Sequence, residues 1–301
     1  MQRNCLIDRL CGANFSREKT MSQLVHMRQR LKAIETIKKI TSAMRLISRS
    51  LHTRLNKQKA PFKTYQQTIS NLFEKLQQLQ PHWQPELFFP RSDKYTKKLY
   101  IITGAQKGLC GSYNAELLYW FAKEHETLSQ KTIDIIAIGK RTADDLARYN
   151  IKPLQCLEEL KISSVEQLTQ ELLTFIKTAK PHYTQVILIG TVPESFFVNR
   201  LQKITLLPLS KNNTENNPDS YLWQNEPDKV LEMLAHMYLY TTVYNLLFEA
   251  LLGEQAARFI AMDGATRNAN KFLDTMQLQY NKIRQAKITK ELTELAANFQ
   301  S

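Results

Sequence analysis

Few of the groups that make enzymes, secreted scaffolds or membrane spans occur in this sequence. Its four cysteines, Cys5, Cys11, Cys110 and Cys156, form no CxxC pair, and no histidine stands at zinc-finger spacing from them. That pattern argues against a disulfide scaffold and a structural metal site, and makes a reducing compartment the default. The longest apolar run, near Tyr238 to Gly253, is interrupted by Asn245 and Glu249. It falls short of the ~20 residues a membrane span needs, so contact with a membrane would be peripheral. His26, His52, His82, His125, His182 and His236 are scattered, none has a carboxylate or cysteine at ligand or triad spacing, and neither GxSxG nor HExxH occurs. The expectation is a chain with no catalytic residues, no cofactor and no metal.

Acidic residues are also in the minority. Forty-one Lys and Arg against 28 Asp and Glu give a net charge of +13, so a partner should be acidic: nucleic acid, anionic lipid headgroups or acidic protein loops. With 43% hydrophobic residues the 301-residue chain can bury a core and form one to three domains.

Proline is absent from about Leu251 to Phe299. There Met262, Ala265, Ala269, Phe272, Met276, Gln279, Ile283 and Ala286 recur at alternating steps of three and four, the seam of a long coiled coil. Small and polar groups at several seam positions suit one close partner, with the other faces free. From Met21 a second long helix runs to about Leu79, with Leu24, Met27, Leu31, Ile34, Ile37, Ile40, Met44, Ile47, Leu51 and Leu55 at similar steps. Successive steps of three from Ile34 to Ile40 predict local overwinding, and Pro61 predicts a kink or interruption. Residues 1–20 lack the apolar core of a secretory signal and read as a disordered tail or a mis-assigned start.

Pro81 to Pro90 marks a boundary. Beyond it Leu99 to Gly104, Ile133 to Gly139 and Gln185 to Gly190 read as buried strands. They alternate with helices over Tyr113 to His125, Thr142 to Tyr149 and Val165 to Ala179, which indicates βαβ units and a parallel sheet. Ile204 to Leu209 reads as an edge strand, since Pro208 forbids a ladder bond. Lys211 to Ser220 is a loop, and helix resumes at Asp228. The fold class is α/β: an antiparallel coiled coil of long N- and C-terminal helices (21–80 and 228–301) with an inserted Rossmann-like α/β domain (81–227).

Gly104-Ala105-Gln106-Lys107-Gly108-Leu109-Cys110-Gly111 stands between a strand and a helix, where a nucleotide fold holds phosphate, but it fits neither GxGxxG nor the Walker pattern. Its glycines read as serving a tight turn, and Cys110, lacking a nearby base, as structural. Between Arg28 and Lys59 ten basic residues face the single acid Glu35, too large an imbalance for a face solvated by salt bridges. Near the C-terminus Arg284, Gln285 and Thr289 offer a partner a guanidinium fork, an amide and a hydroxyl; a solvated charged face is the plain alternative.

Three blocks resemble the γ subunit of F-type ATP synthase. Lys38-Lys39-Ile40-Thr41-Ser42-Ala43-Met44 is similar to the family's QKITKAM, and Gly108-Leu109-Cys110-Gly111 stands where the family has DRGLCGGLN. Residues 254–269, from Glu254-Gln255-Ala256-Ala257-Arg258 through Met262 to Ala269, resemble EQAARMVAMKAATDNA and continue into LQLxYNKxRQAxITxELxE. The resemblance implies a non-catalytic rotor stalk that couples ion flow through a membrane ring to ATP synthesis or hydrolysis. Its partners would be three α and three β subunits, the ε subunit and the c-ring. Arg284, Gln285 and Thr289 match positions that touch the β subunits; Met44, Arg258 and Met262 match positions at the coiled coil and surrounding ring; Tyr221 and Glu226 match approximately a segment near the c-ring. The implied location is peripheral, on the cytoplasmic side of a bacterial cell membrane or the matrix side of the mitochondrial inner membrane. Two departures are Gln106-Lys107-Gly108 for the family's DRG and Leu46-Ile47-Ser48-Arg49 for its MVAA. A basic coiled-coil nucleic-acid-binding or structural protein is the alternative, and would leave the inserted domain unexplained.

Overall fold

The computed structural model describes residues 4–90, 97–126, 133–157, 160–179, 183–210, 223 and 225–299. Two long helices bracket the chain: α1, Asn4–Leu79, and α5, Pro227–Phe299. Between them lie β1 (Lys97–Thr103), α2 (Tyr113–Glu126), β2 (Ile133–Ile138), α3 (Lys140–Arg148), β3 (Gln155–Leu157), α4 (Val165–Ala179), β4 (Tyr183–Pro193) and β5 (Asn199–Leu207). The helical pattern that is evident from Met21 extends back to Asn4. By compactness the chain divides into Met1–Arg45 with Met262–Ser301, and Leu46–Ala261.

In the first unit α1 and α5 run antiparallel. Thr41 meets Thr266 with their hydroxyl oxygens 3.0 Å apart, and one turn further along α1 Arg45 pairs with Asp263 at 2.8 Å, so numbers rise on one helix as they fall on the other. Along α1 the covered positions include Leu24, Met27, Leu31, Ile34, Lys38, Thr41 and Arg45; along α5 they include Met262, Thr266, Ala269, Leu273, Met276, Tyr280, Ile283 and Lys287. Both sets alternate steps of three and four without a break.

This seam corrects the one expected from apolar spacing. On α5 Thr266, Leu273, Tyr280 and Lys287 take the places read for Ala265, Phe272, Gln279 and Ala286, and Phe272 is 62% exposed. On α1 Lys38 and Thr41 are in the seam while Ile37 and Ile40 are 52% and 55% exposed, so the run of three-residue steps lies outside the seam. One residue turns a helical side chain by about 100°. The helices keep their heptad by accepting polar groups in the seam, and the neighbouring apolar groups form a second stripe outside it.

In the second unit α1 keeps the same period through Ser48, His52, Leu55, Lys59, Phe62, Gln66, Ile69, Phe73 and Leu76. It also passes through Pro61 without interruption. That proline lies on the exposed side, where water can satisfy the carbonyl that loses its N–H partner.

The sheet has the order β3-β2-β1-β4-β5, with β5 antiparallel at its edge and the other pairings parallel. Its central strands are nearly continuous apolar runs because both faces are covered. Leu99, Ile101, Ile136, Ile138, Val186 and Leu188 pack with α4, α5 and α1; Tyr100, Ile102, Ile135, Ala137, Ile187 and Ile189 pack with α2 and α3. β5 begins at Asn199, earlier than its apolar half suggests, and stops at Leu207, one residue before Pro208. β3 has too few residues to show a periodicity, and it is legible only through its pairing with β2.

Candidate functional site

The start of the turn after β1 is packed against the chain's own polar groups. Asn114 Oδ1 accepts from the Ala105 N–H at 2.7 Å and the Thr142 hydroxyl donates to the Ala105 carbonyl at 3.3 Å. Any side chain at Gly104 would overlap both Thr142 and Asn114. Glycine is therefore required for close packing at this position.

The other side of this turn is fastened to α5. Glu254 and Arg258, one helical turn apart, are 2% and 4% exposed and paired with each other. Arg258 donates from Nη2 to the Lys107 carbonyl at 3.1 Å and from Nε to the Gly108 carbonyl at 3.4 Å, while Glu254 Oε1 accepts from the Lys107 N–H at 3.4 Å. Tyr113 OH adds a bond to the Ala250 carbonyl at 2.9 Å. Next to the gripped peptide Leu109 has φ 66° and is 57% exposed, an uncommon backbone state for a branched apolar residue. Burial, reinforced by the Glu254 carboxylate, pushes the Cys110 thiol up and makes it a poor nucleophile.

The helices offer a different kind of surface. Of the ten basic residues between Arg28 and Lys59, Arg45 pairs with Asp263 and Lys59 with Glu249 at 3.2 Å. The other eight have no carboxylate partner among the described residues. Near the end of α5, Arg284, Gln285 and Thr289 are exposed, and helical geometry places them on one face with the exposed Ile288 and Leu292. Arg284 has no ion-pair partner among the described residues, whereas its neighbour Lys287 is 3.7 Å from Glu291. This face can therefore offer a guanidinium fork beside apolar contact.

The remaining candidates are dispersed. Met262 is buried in the seam and Met44 is half-buried at its edge, while Arg258 faces the turn after β1. Glu226 is exposed and 2.9 Å from Lys229; Tyr221 lies outside the described residues. Sequence reasoning missed the Thr41–Thr266 and Arg45–Asp263 contacts because it sought apolar residues in the seam. It also missed the grip of Glu254 and Arg258 on Lys107, for which the i,i+4 spacing of Glu and Arg was the available signal.

The family model described as ATP synthase matches residues 23–301. Among named relatives, the chain is similar to the ATP synthase gamma chain of Clostridium novyi (strain NT), 29% identical over 286 residues, spanning 92% of this chain and 98% of that one. It is also similar to that of Rickettsia canadensis (strain McKiel), 27% identical over 290 residues, spanning 93% and 100%. Among solved structures, the fold is similar to a chain of the Euglena gracilis mitochondrial ATP synthase OSCP/F1/c-ring, with TM-score 0.67 at 15% identity, covering 93% of this chain and 94% of that one. A chain of the Tetrahymena thermophila mitochondrial ATP synthase central stalk/c-ring matches with TM-score 0.56 at 17% identity, covering 75% and 99%.

Proposed function

The chain belongs to the ATP synthase family, and on that premise we propose that it is the γ subunit, a non-catalytic shaft turning inside a ring of three α and three β subunits. A foot formed by the α/β domain meets the ε subunit and the c-ring, and the complex holds the chain at the surface of a bacterial cell membrane, on its cytoplasmic side. Rotation presents different faces of the shaft to each β subunit in turn. Coupling requires each orientation to favour one β conformation over another.

The observation that carries this reading is the pair of outer surfaces on a closed helical seam. The first unit packs α1 on α5, yet exposes Ile37, Ile40 and Phe272 together with cations that have no carboxylate partner among the described residues. Such a surface suits a surrounding partner that is apolar in part and acidic in part. We assign Arg284, Gln285 and Thr289 to the β-subunit contact, where a guanidinium can grip carboxylates in a bidentate manner. Met44 and Met262 belong at the collar of the ring, with Arg258 acting there through the turn it holds, and Tyr221 and Glu226 belong near the c-ring.

Co-expression with the α and β subunits of the same organism, followed by size-exclusion chromatography and an ATPase assay, tests the assignment. One copy of the chain per ring, with a changed hydrolysis rate, is expected. Elution of the chain alone, with strongly salt-dependent binding to generic DNA, would replace this reading with nucleic-acid binding.

A further inference from the structure

Glu254 and Arg258 are a buried ion pair whose bonds to the rest of the chain go to two consecutive loop residues, Lys107 and Gly108. Glu254 takes the Lys107 N–H and Arg258 takes the Lys107 carbonyl, with a second bond to the Gly108 carbonyl. Both polar ends of a loop residue are thus held by two side chains one turn apart on a single helix. Packing alone does not require this arrangement, because apolar residues of similar volume fill such space at least as well. What it adds is direction. Hydrogen bonds to the N–H and the carbonyl of one residue fix its position and orientation, which apolar contact does not.

The gripped peptide adjoins the Leu109 backbone at φ 66°, with the side chain exposed, and Gly111 follows at φ 63°. A left-handed leucine persists only where its surroundings over-determine it. The clamp supplies one restraint from α5, and Tyr113, bonded to the Ala250 carbonyl, supplies another just beyond the turn. The clamp sits on the last turns of α5 within Leu46–Ala261, past the Leu231–Leu252 segment that packs on the sheet.

We propose that Glu254 and Arg258 are positioning residues that weld the turn after β1 to α5, so that sheet and helix move as one body and Leu109 is presented in a fixed orientation. This deepens the shaft reading and rests on it for its consequence in coupling, though the weld itself belongs to the chain alone. Without it, load passing from the α/β domain to α5 would be lost partly in flexing of the turn.

The test separates stability, turn rigidity and coupling. Arg258→Met leaves the Glu254 carboxylate buried without its cation, and should lower the melting temperature; Glu254→Met with Arg258→Met removes both charges and should recover most of it. In the full-length chain a nitroxide on Leu109→Cys, with the native cysteines replaced, should be immobile with the clamp present and mobile in the double variant. In the assembled complex the double variant should pump about threefold fewer ions per ATP hydrolysed, or fewer still. A double variant with recovered melting temperature, an immobile label and undiminished pumping would overturn the proposal and leave the pair a packing element. A mobile label with unchanged pumping would overturn the coupling role alone. If the parent chain does not assemble with α and β subunits, the shaft reading fails while the label still reports on the weld.

Discussion

Thr41 and Thr266 meet across the helical seam with 3.0 Å between their hydroxyl oxygens, and both residues are buried. Thr266 Oγ1 is also 2.7 Å from the Met262 carbonyl, and Thr41 Oγ1 3.1 Å from the Lys38 carbonyl. Two protons are shared among three contacts. The bond forms in one alignment of the helices only, so it fixes register as a single polar seam position does in coiled coils. Thr266→Val should cost about 1 kcal/mol, because the Thr41 hydroxyl then stays buried without its cross-helix partner. Thr266→Ser should melt close to the parent, and the Thr41→Val, Thr266→Val pair should cost less than the two single changes together. Additive losses in thermal melts would contradict a shared bond.

The phase of the α5 seam gives a second prediction. Phe272 is 62% exposed while Leu273 is half-buried in the seam. Phe272→Ala should change the stability of the isolated chain by no more than about 0.5 kcal/mol, and Leu273→Ala should cost about 2 kcal/mol. The reverse order in denaturant titrations would restore the seam suggested by apolar spacing.

Arg284→Ala removes an exposed guanidinium with no ion-pair partner among the described residues. Its melting temperature should therefore match the parent. In the assembled complex, loss of a charge-assisted contact of about 1.5–3 kcal/mol should weaken coupling or assembly. Full coupled ATP synthesis with unchanged assembly would remove Arg284 from the β-subunit contact.

Alkaline pH should destabilise the second unit. Burial, then the Glu254 carboxylate, raises the Cys110 thiol and holds the Tyr113 phenol well above its ordinary range. A folded-state value above the unfolded one means that the fold retains its proton longer. The stability these groups contribute is complete below their unfolded values and is lost as pH rises beyond them. Melting temperature should hold from neutral pH to about pH 9 and fall above it. Tyr113→Phe should lower the neutral baseline by about 1 kcal/mol, through its lost bond to Ala250, and lessen the alkaline fall. An identical alkaline fall in the two proteins would remove Tyr113 from the cause.

The α/β class and the long bracketing helices were legible because they rest on many residues at once. Strand runs such as Leu99 to Ile102 and the Val165–Ala179 helix carry strong patterns, and the latter has the expected bounds. The seam was half legible. Met262, Ala269, Met276 and Ile283 lie where apolar spacing put them, but the intervening positions hold Thr266, Leu273, Tyr280 and Lys287. The adjacent stripe attracts apolar residues of its own, and hydropathy cannot distinguish a side chain facing the partner helix from one facing outward. Of the clamp only the i,i+4 pair was legible, for another reason. Glu254 and Arg258 look like an exposed i,i+4 pair until the turn folds over them, and no local pattern announces that Lys107 will arrive.

The shaft reading is tested most directly by attaching the end of α5 to its surroundings. A photo-crosslinking residue at Gln285 in the complex with α and β subunits should join the chain to a β subunit on illumination. ATP hydrolysis should then stop in proportion to the cross-linked fraction, because a shaft bound to one β subunit cannot visit the others. Undiminished hydrolysis with the chain fully cross-linked to β would contradict rotation of this chain within the ring.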